Sequence, residues 1–343
     1  MTASATVRVM SAEEIAASAG GETPFFHWPE RRTLFAERQM RLRQLAQGHA
    51  MGDFLRFMAE LARTQQAALQ RFAAVPLPDA DALDRAARAG QPPLPAVDWP
   101  RDAAWRAELR AMVKDLRGSD LPEGVRAALD AIDRASDDEL ERQADCLLTG
   151  VMQGLNLATA PVIAAALQVY WTHLVLSVQA SGEGTARGPL NSPFGRIDDI
   201  SVCPCCGSRP TASLTRSAGG ATGQRYLHCS LCSTQWYVER IKCTHCGSTE
   251  HLAYHSLEAA DASDEDAAAR AAQAAVQAET CDDCGHYLKI MHGDRNPFVD
   301  PVADDLATVT LDLLVSEAGR QRHGVNLMLL FGEPEPPPSP GGA

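Results

Sequence analysis

Positive charge is scarce in this chain. Its 343 residues carry 31 Lys and Arg against 44 Asp and Glu, a formal net charge of −13. Such a balance repels phosphate backbones over most of a surface, which argues against a broad nucleic-acid binder. Catalytic signatures are missing too: there is no glycine-rich phosphate loop, nucleophile elbow or metalloprotease helix. The adjacent carboxylates Asp282–Asp283 and Asp304–Asp305 are neighbours along the chain, which usually point apart and cap helices or turns. No catalytic set emerges, so an enzyme is not expected. The opening "MTASATVRVMSAEE" lacks the basic segment and apolar run of a secretory signal, and a cytoplasmic protein is expected. Arg31 and Arg32 precede the charged run "TLFAERQMRLRQ" and read as a helix face rather than an export signal. Long apolar runs are few. The strongest, Pro161 to Ala180, contains Gln168, Thr172, His173, Ser177 and Gln179, so it reads as a core helix and no membrane insertion is expected.

What is present is ordinary for a globular chain, at 45% hydrophobic and 22% charged residues, and its length suits two cores with a small third unit. From Ser11 to about Ala180 the spacing is helical. Phe54, Met58, Leu61, Ala68 and Phe72 fall on one stripe of a helix from about Gly52 to Ala74. Further helices are expected at Pro29–Gln47, Asp102–Leu116, Pro122–Ala135, Asp137–Gly150 and Ala160–Ala180. Ser136 and Glu139 make a capping box for the Asp137–Gly150 helix. Between Val75 and Pro100 a proline-rich connection leaves room for one short helix. A second break, Ser181 to Gly195, marks a domain boundary. Beyond it come turn residues and short extended runs, an Ala-rich stretch at Ala259–Ala278 read as a helix, a helical segment after Pro301, and the tail "EPEPPPSPGGA", read as disordered.

Nine of the 10 cysteines lie between Cys203 and Cys284, eight of them in four Cys-x-x-Cys steps: Cys203/Cys206, Cys229/Cys232, Cys243/Cys246 and Cys281/Cys284. Cytoplasmic thiols are kept reduced, so such pairs read as metal ligands before disulfides. One step aims two sulfurs at one point, and two steps complete a tetrahedral site for iron or zinc. Gly207, Gly247 and Gly285 follow three of the steps, supplying the positive φ that folds backbone amides over the sulfurs. The second step is followed by Ser233 instead. Eight ligands give two metal ions. Sequential pairing puts Cys203, Cys206, Cys229 and Cys232 in one site and Cys243, Cys246, Cys281 and Cys284 in the other. Crossed pairing of first with third and second with fourth is the alternative. Spacing does not choose between iron and zinc.

Cys205 is a ninth thiol without a mate, a bystander or a local redox residue. Cys146, in "ADCLLTG", reads as a core residue. His228, His245, His251, His255, His286 and His292 crowd the same half and read as surface residues or residues around the sulfurs. Trp236 and Arg240, on the strand linking the two sites, are the candidate partner contacts, because aromatic and Arg side chains on a rigid scaffold make effective anchors.

The fragments "CPCCGSRP", "RYLHCSLCSTQWYVERIKCTHCG", "ETCDDCGHYLKI" and "ADDLATVTLD" resemble the formate dehydrogenase accessory protein FdhE family, most specifically from Ser201 to about Asp312. The resemblance implies a cytoplasmic assembly factor that recognises the catalytic subunit of respiratory formate dehydrogenase during maturation. It also implies rubredoxin-like modules holding iron or zinc on the eight cysteines named above. The expected architecture is then an all-helical domain over 1–190, two tandem four-cysteine rubredoxin-like or zinc-ribbon modules over 191–300, a C-terminal helix packing back over 301–332, and a tail over 333–343. Homodimerisation is left open. Two other classes stand beside the assembly factor: an iron-dependent redox protein acting on a client, and a zinc-ribbon nucleic-acid binder.

Overall fold

The computed structural model describes residues 23–182, 194–195, 197–218, 221–257 and 273–330. Among the described residues, seven helices form the first part: α1 (Leu34–Leu45), α2 (Gly52–Arg71), α3 (Ala80–Arg88), α4 (Ala104–Leu116), α5 (Glu123–Arg134), α6 (Asp137–Thr149) and α7 (Ala160–Gly182). Their ends follow from local chemistry. Asp79 caps α3 by accepting from the Ala82 amide at 2.7 Å, and Ser136 caps α6 by accepting from the Glu139 amide at 3.1 Å. The capping box is half-formed, since the Glu139 carboxylate accepts from Gln143 instead. Gly150 ends α6 in the left-handed region at φ 75.

α7 is the central rod of this part, packed by α2, α4 and α6. Pro161 sits in its first turn, where a missing amide hydrogen costs nothing, and no glycine or proline follows until Gly182. It is long and apolar enough to cross a membrane, yet 83% of its most apolar window is buried inside the fold. The α2 stripe faces it: Met58, Leu61 and Ala68 are buried, with Leu55, Ala59, Ala62 and Leu69 widening the stripe, while Phe54 is only half covered.

The second part is one eight-stranded sheet: β1 (Phe26–His27), β2 (Pro210–Ala218), β3 (Ala221–Cys229), β4 (Gln235–Val238), β5 (Leu252–His255), β6 (Val276–Cys281), β7 (His286–His292) and β8 (Gln321–Arg322). The strand order is β1-β4-β3-β2-β7-β6-β5, with β8 paired to β7. Both cysteine regions therefore share a continuous sheet, joined where β2 and β7 pair in parallel from Ser213↔Ile290 to Thr215↔His292. Its far edge, β1, comes from ahead of α1 and pairs Phe26 with Trp236. A buried ion pair crosses the junction. Arg225 donates to Glu279 at 2.8 Å, and its other arm donates to the carbonyls of Arg240 and Lys242, pinning the segment between the cysteine regions.

Two short helices, α8 (Ala303–Ala307) and α9 (Val309–Glu317), replace the expected single C-terminal helix. The chain breaks at Thr308, whose φ is −117. The freed carbonyls are used: Lys289 Nζ donates to Asp305 O at 2.8 Å and Thr308 O at 3.3 Å. Lys289 is fully buried and also meets the Asp305 and Asp312 carboxylates at 3.0 and 2.6 Å, and Arg322 pairs with both acids. Most of the helix expected at Ala259–Ala278 falls on residues 258–272, outside the described residues. Its last three residues, Val276–Ala278, belong to β6, where pairing with β7 overrides the helical propensity of alanine. The tail expected at 333–343 also lies outside the described residues. Cys146, expected in the core, is half-buried.

Two outcomes follow. Lys289→Met would leave Asp305 and Asp312 with Arg322 as their one remaining cation among the described residues. The loss should be about 3–5 kcal/mol, read from the urea midpoint. His173, His228, His292 and His323 are buried, and burial lowers each imidazole from 6.5 to about 4. The unfolded chain takes up these protons near pH 6.5, whereas the folded chain resists them until about pH 4. Their contribution is thus complete above pH 6.5 and lost as pH falls through this window, at up to about 1.4 kcal/mol per pH unit for each group. Urea denaturation at a series of pH values should show that fall, with a shallower slope for His228→Leu.

Candidate metal centres

Each Cys-x-x-Cys step folds into a knuckle. In the first, the Cys203 carbonyl accepts from the Gly207 amide at 2.8 Å, and the Cys203 amide donates to Ser208 O at 2.9 Å. The Cys205 amide points at Cys203 Sγ, 3.4 Å away. Gly207 has φ 74, and a Cβ there would stand 3.4 Å from Pro92 Cγ. Gly247 and Gly285 take the same left-handed conformation after the third and fourth steps, at φ 77 and 71. In the second knuckle Ser233 adopts it instead, at φ 59. The Cys229 amide closes that knuckle on Thr234 O at 2.9 Å, and the amides of Leu231 and Cys232 each lie 3.4 Å from Cys229 Sγ.

The sheet brings the first knuckle to the second and the third to the fourth. Cys203, Cys206, Cys229 and Cys232 gather in one cluster and Cys243, Cys246, Cys281 and Cys284 in another, the sulfurs of each lying within 4.8 Å of one another. Across the first, sulfur contacts are 3.6 Å for Cys203 and Cys232, 3.4 Å for Cys206 and Cys229, and 3.7 Å for Cys206 and Cys232. Across the second, Cys243 to Cys284 and Cys246 to Cys281 are both 3.7 Å. A disulfide needs about 2.05 Å. Sulfurs held about 2.3 Å from a tetrahedral centre lie about 3.8 Å apart, so the spacing fits a four-thiolate metal site.

The surroundings of the two clusters differ. All four sulfur-bearing residues of the first are fully buried, as is Cys205, and they belong to the main core with Leu94, Trp171 and Leu227. The helical part satisfies the backbone of its knuckles. The amides of Leu94 and Ala96, in the proline-rich connection, donate to Cys205 O at 3.0 Å and Cys206 O at 2.8 Å. From α7, Gln168 donates to Ser230 O at 2.7 Å and Thr172 to Cys232 O at 3.3 Å. Burial pushes the thiols of Cys203, Cys205 and Cys229 well up. Cys232 is held down against that burial by hydrogen bonds from the neighbouring thiols. Four thiolates cannot share so dry a site without a cation, and a divalent metal ion would supply one.

The second cluster sits at a rim. Cys243 and Cys281 are buried, Cys284 is half-buried and Cys246 is exposed. The Ser248 amide draws the Cys246 thiol down, while burial raises Cys284 to about 12. His245 and His286 stack with ring centroids 3.7 Å apart, and their ligating nitrogens come within 4.8 Å of Cys284 Sγ. His323 meets His245 edge-on, with centroids 5.2 Å apart.

Other expectations need correction. Trp236 is 1% exposed and donates from Nε1 to Ile200 O at 3.1 Å, so it holds the strand in place and is out of a partner's reach. Alternation along β4 is real, but Trp236 and Val238 face inward and Tyr237 outward. Arg240, beyond the strand end, is exposed, and its guanidinium lies against Gly223, where a Cβ would collide with it. His228, adjoining Cys229 and close enough to feel the charge of Cys232, is buried beside the sulfurs as expected, whereas His292, expected at the surface or beside the sulfurs, is buried against Gln277. His251 is exposed and pairs with Asp283 at 3.0 Å. His255, also exposed, meets the Thr280 hydroxyl. Sequence reasoning missed Leu94 and Ala96, whose part is played by backbone atoms that carry no residue signature, and the buried ion pair of Arg225 with Glu279.

Comparison with known proteins covers nearly the whole chain. Residues 23–185 match the family described as "FdhE, N-terminal", 202–240 match "FdhE, central domain" and 241–329 match "FdhE, C-terminal domain". The chain is 39% identical over 311 residues to a protein FdhE homolog from Pseudomonas aeruginosa, covering 90% of this chain and 94% of that one. It is 36% identical to a protein FdhE homolog from Cronobacter sakazakii, covering 90% and 92%. The crystal structure of the FdhE protein from Pseudomonas aeruginosa superposes with a TM-score of 0.74 at 37% identity, covering 90% of this chain and 99% of that one.

The difference in burial predicts a difference in consequence. Cys206→Ser and Cys246→Ser should each lower tightly bound metal by about one ion per chain. Cys206→Ser should also cost at least about 3 kcal/mol of stability, roughly 6–12 °C in Tm. Cys246→Ser should shift Tm by less than about 4 °C. Elemental analysis with thermal melting checks both, and equal Tm losses would contradict the distinction.

Proposed function

The chain belongs to the FdhE family, and from that premise we propose that it is a non-enzymatic cytoplasmic accessory factor for respiratory formate dehydrogenase. In this reading it binds the catalytic subunit during maturation and presents a metal-stabilised surface to it. Iron or zinc is held by Cys203, Cys206, Cys229 and Cys232 in one site and by Cys243, Cys246, Cys281 and Cys284 in the other. The observation that carries the proposal is the pair of four-sulfur clusters on one sheet. Four cysteines fill every position of a tetrahedral ion and leave none for a substrate, as suits a scaffold.

The two clusters divide the work. The first ties the sheet to the helical part, and the second, at the rim, lies next to the exposed segment where a client docks. Arg240 is exposed there, with Ile241 63% and Tyr254 43% exposed. An apolar and cationic patch of this kind suits a protein partner better than a nucleic acid, given the acidic whole. The helical part offers an open cleft of about 900 Å³ between α1, α2 and Ser119–Pro122, lined by Arg43, Arg56, Asp53, Glu60 and Phe57, as a further face for a client. A second reading, an iron site passing an electron to the client, is favoured by the solvent access of Cys246.

Pull-down of the formate dehydrogenase catalytic subunit tests the surface. Arg240→Glu with Ile241→Ser should reduce recovery at least tenfold, about 1.4 kcal/mol, at unchanged metal content. Undiminished recovery would remove this segment from the interface. Metal analysis beside the visible spectrum separates the readings. About two irons per chain with a bleachable thiolate-to-iron band favours electron transfer, and about two zincs without such a band favours the scaffold.

A further inference from the structure

Two places beyond the second cysteine of each step stand Ser208, Thr234, Ser248 and His286. In the first three knuckles the backbone at that place does one job: the carbonyls of Ser208, Thr234 and Ser248 accept from the amides of Cys203, Cys229 and Cys243 at 2.9, 2.9 and 2.7 Å. The side chains are used differently. At the rim, Ser248 donates its hydroxyl to the Asp283 carboxylate and to Glu250 O. In the buried cage, Thr234 has no exposed surface, and its Oγ1 lies 3.3 Å from Cys232 Sγ. The amides of that cage meet other sulfurs. Cys205 N lies 3.4 Å from Cys203 Sγ, and the amides of Leu231 and Cys232 lie 3.4 Å from Cys229 Sγ. Thr234 thus brings a hydroxyl to a third sulfur.

A metal-binding cysteine is a thiolate and has no proton to give, so with metal bound the contact runs from the threonine hydroxyl to the sulfur. Four thiolates around one divalent ion carry two negative charges, and all four cysteines here are shut off from water. Charge buried in that way is costly unless donors meet it. We infer that Thr234 is a positioning residue of the first metal site, its hydroxyl donating to the Cys232 thiolate and strengthening the cage's hold on a divalent ion. Residues that hydrogen-bond the ligands of a metal are worth about 10–100-fold in affinity. Threonine suits the task, because its branched Cβ, packed on all sides, restricts χ1 and keeps the hydroxyl aimed at the sulfur. The inference rests on the four-cysteine reading of the first site and adds a residue that the cysteine pattern does not contain.

The test uses the full-length chain carrying Cys246→Ser, which leaves the first site as the tight one. Zinc affinity is measured by chelator competition for this parent and after adding Thr234→Val or Thr234→Ser. Valine keeps the shape and removes the hydroxyl, so a loss of about 10–100-fold is expected, with serine restoring most of it. Loss of the donor also raises the sulfur lone pair, so the sulfur-to-cobalt charge-transfer band of the cobalt-loaded valine variant should move to lower energy. Unchanged affinity overturns the inference, as does a loss that serine does not restore and that leaves the band in place, the mark of a packing defect. A parent without tight zinc is a separate result, in which the four-cysteine reading itself fails. Cadmium-113 NMR of the wild-type chain needs no variant. Scalar coupling from cadmium to the Thr234 hydroxyl proton supports the bond, and its absence beside coupling to the Cys205 and Leu231 amide protons overturns it.

Discussion

The carbonyl groups of the first two knuckles are the constraint around which the molecule is arranged. A knuckle curls its backbone around sulfurs and turns peptide oxygens outward, and in this fold those oxygens are buried. They need donors from elsewhere in the chain. Leu94 and Ala96 supply two from the proline-rich connection, and Gln168 and Thr172 supply two from α7. The connection is therefore ordered along the metal cage rather than looping through solvent, and Trp171 fastens it by donating to Leu94 O. A cage that would fold by itself as a small ribbon becomes part of the helical core.

The other half of the sheet is held differently. Its apolar clusters are small, one formed by Ala278, Tyr287, Leu311 and Val315 and another by Ala212, Leu214 and Met291. Charge does the positioning there. Arg225 with Glu279 spans the two halves, and Lys289 with Arg322 holds Asp305 and Asp312 beneath β7. Buried pairs of this kind contribute little net stability, because desolvation offsets most of their attraction, but they tolerate few alternative arrangements. The second cluster thus rides on a platform that is geometrically defined yet thinly packed.

Much of this was legible in the residues. The cysteine spacing and the glycines after three steps anticipated the knuckles, and the 3.6-residue period located α1, α2 and α4 to α7, because both signals are local. Ser233 shows where locality stops: the step without glycine still takes the left-handed turn, at φ 59, because the cage around it fixes the backbone. Trp236 shows another limit. A period of two says that neighbours face opposite ways, but which face is covered depends on the distant residues of the core that Trp236 joins. The parallel pairing of β2 with β7, which merges two cysteine regions into one sheet, leaves no trace in either strand's composition. Thr308 likewise breaks a helical pattern to serve a lysine on another element.

The edge strand β1 carries a temporal consequence. Pro24 O accepts from the Tyr226 hydroxyl across 202 positions of chain, and the register partner of Phe26 emerges later still. At about 5–20 residues per second, a ribosome leaves this segment unpaired for roughly 10–40 s. By then Cys203, Cys206, Cys229 and Cys232 have all been synthesised. Closure of β1 onto β4 is thus a long-range event that comes only after every ligand of the first cage has been made.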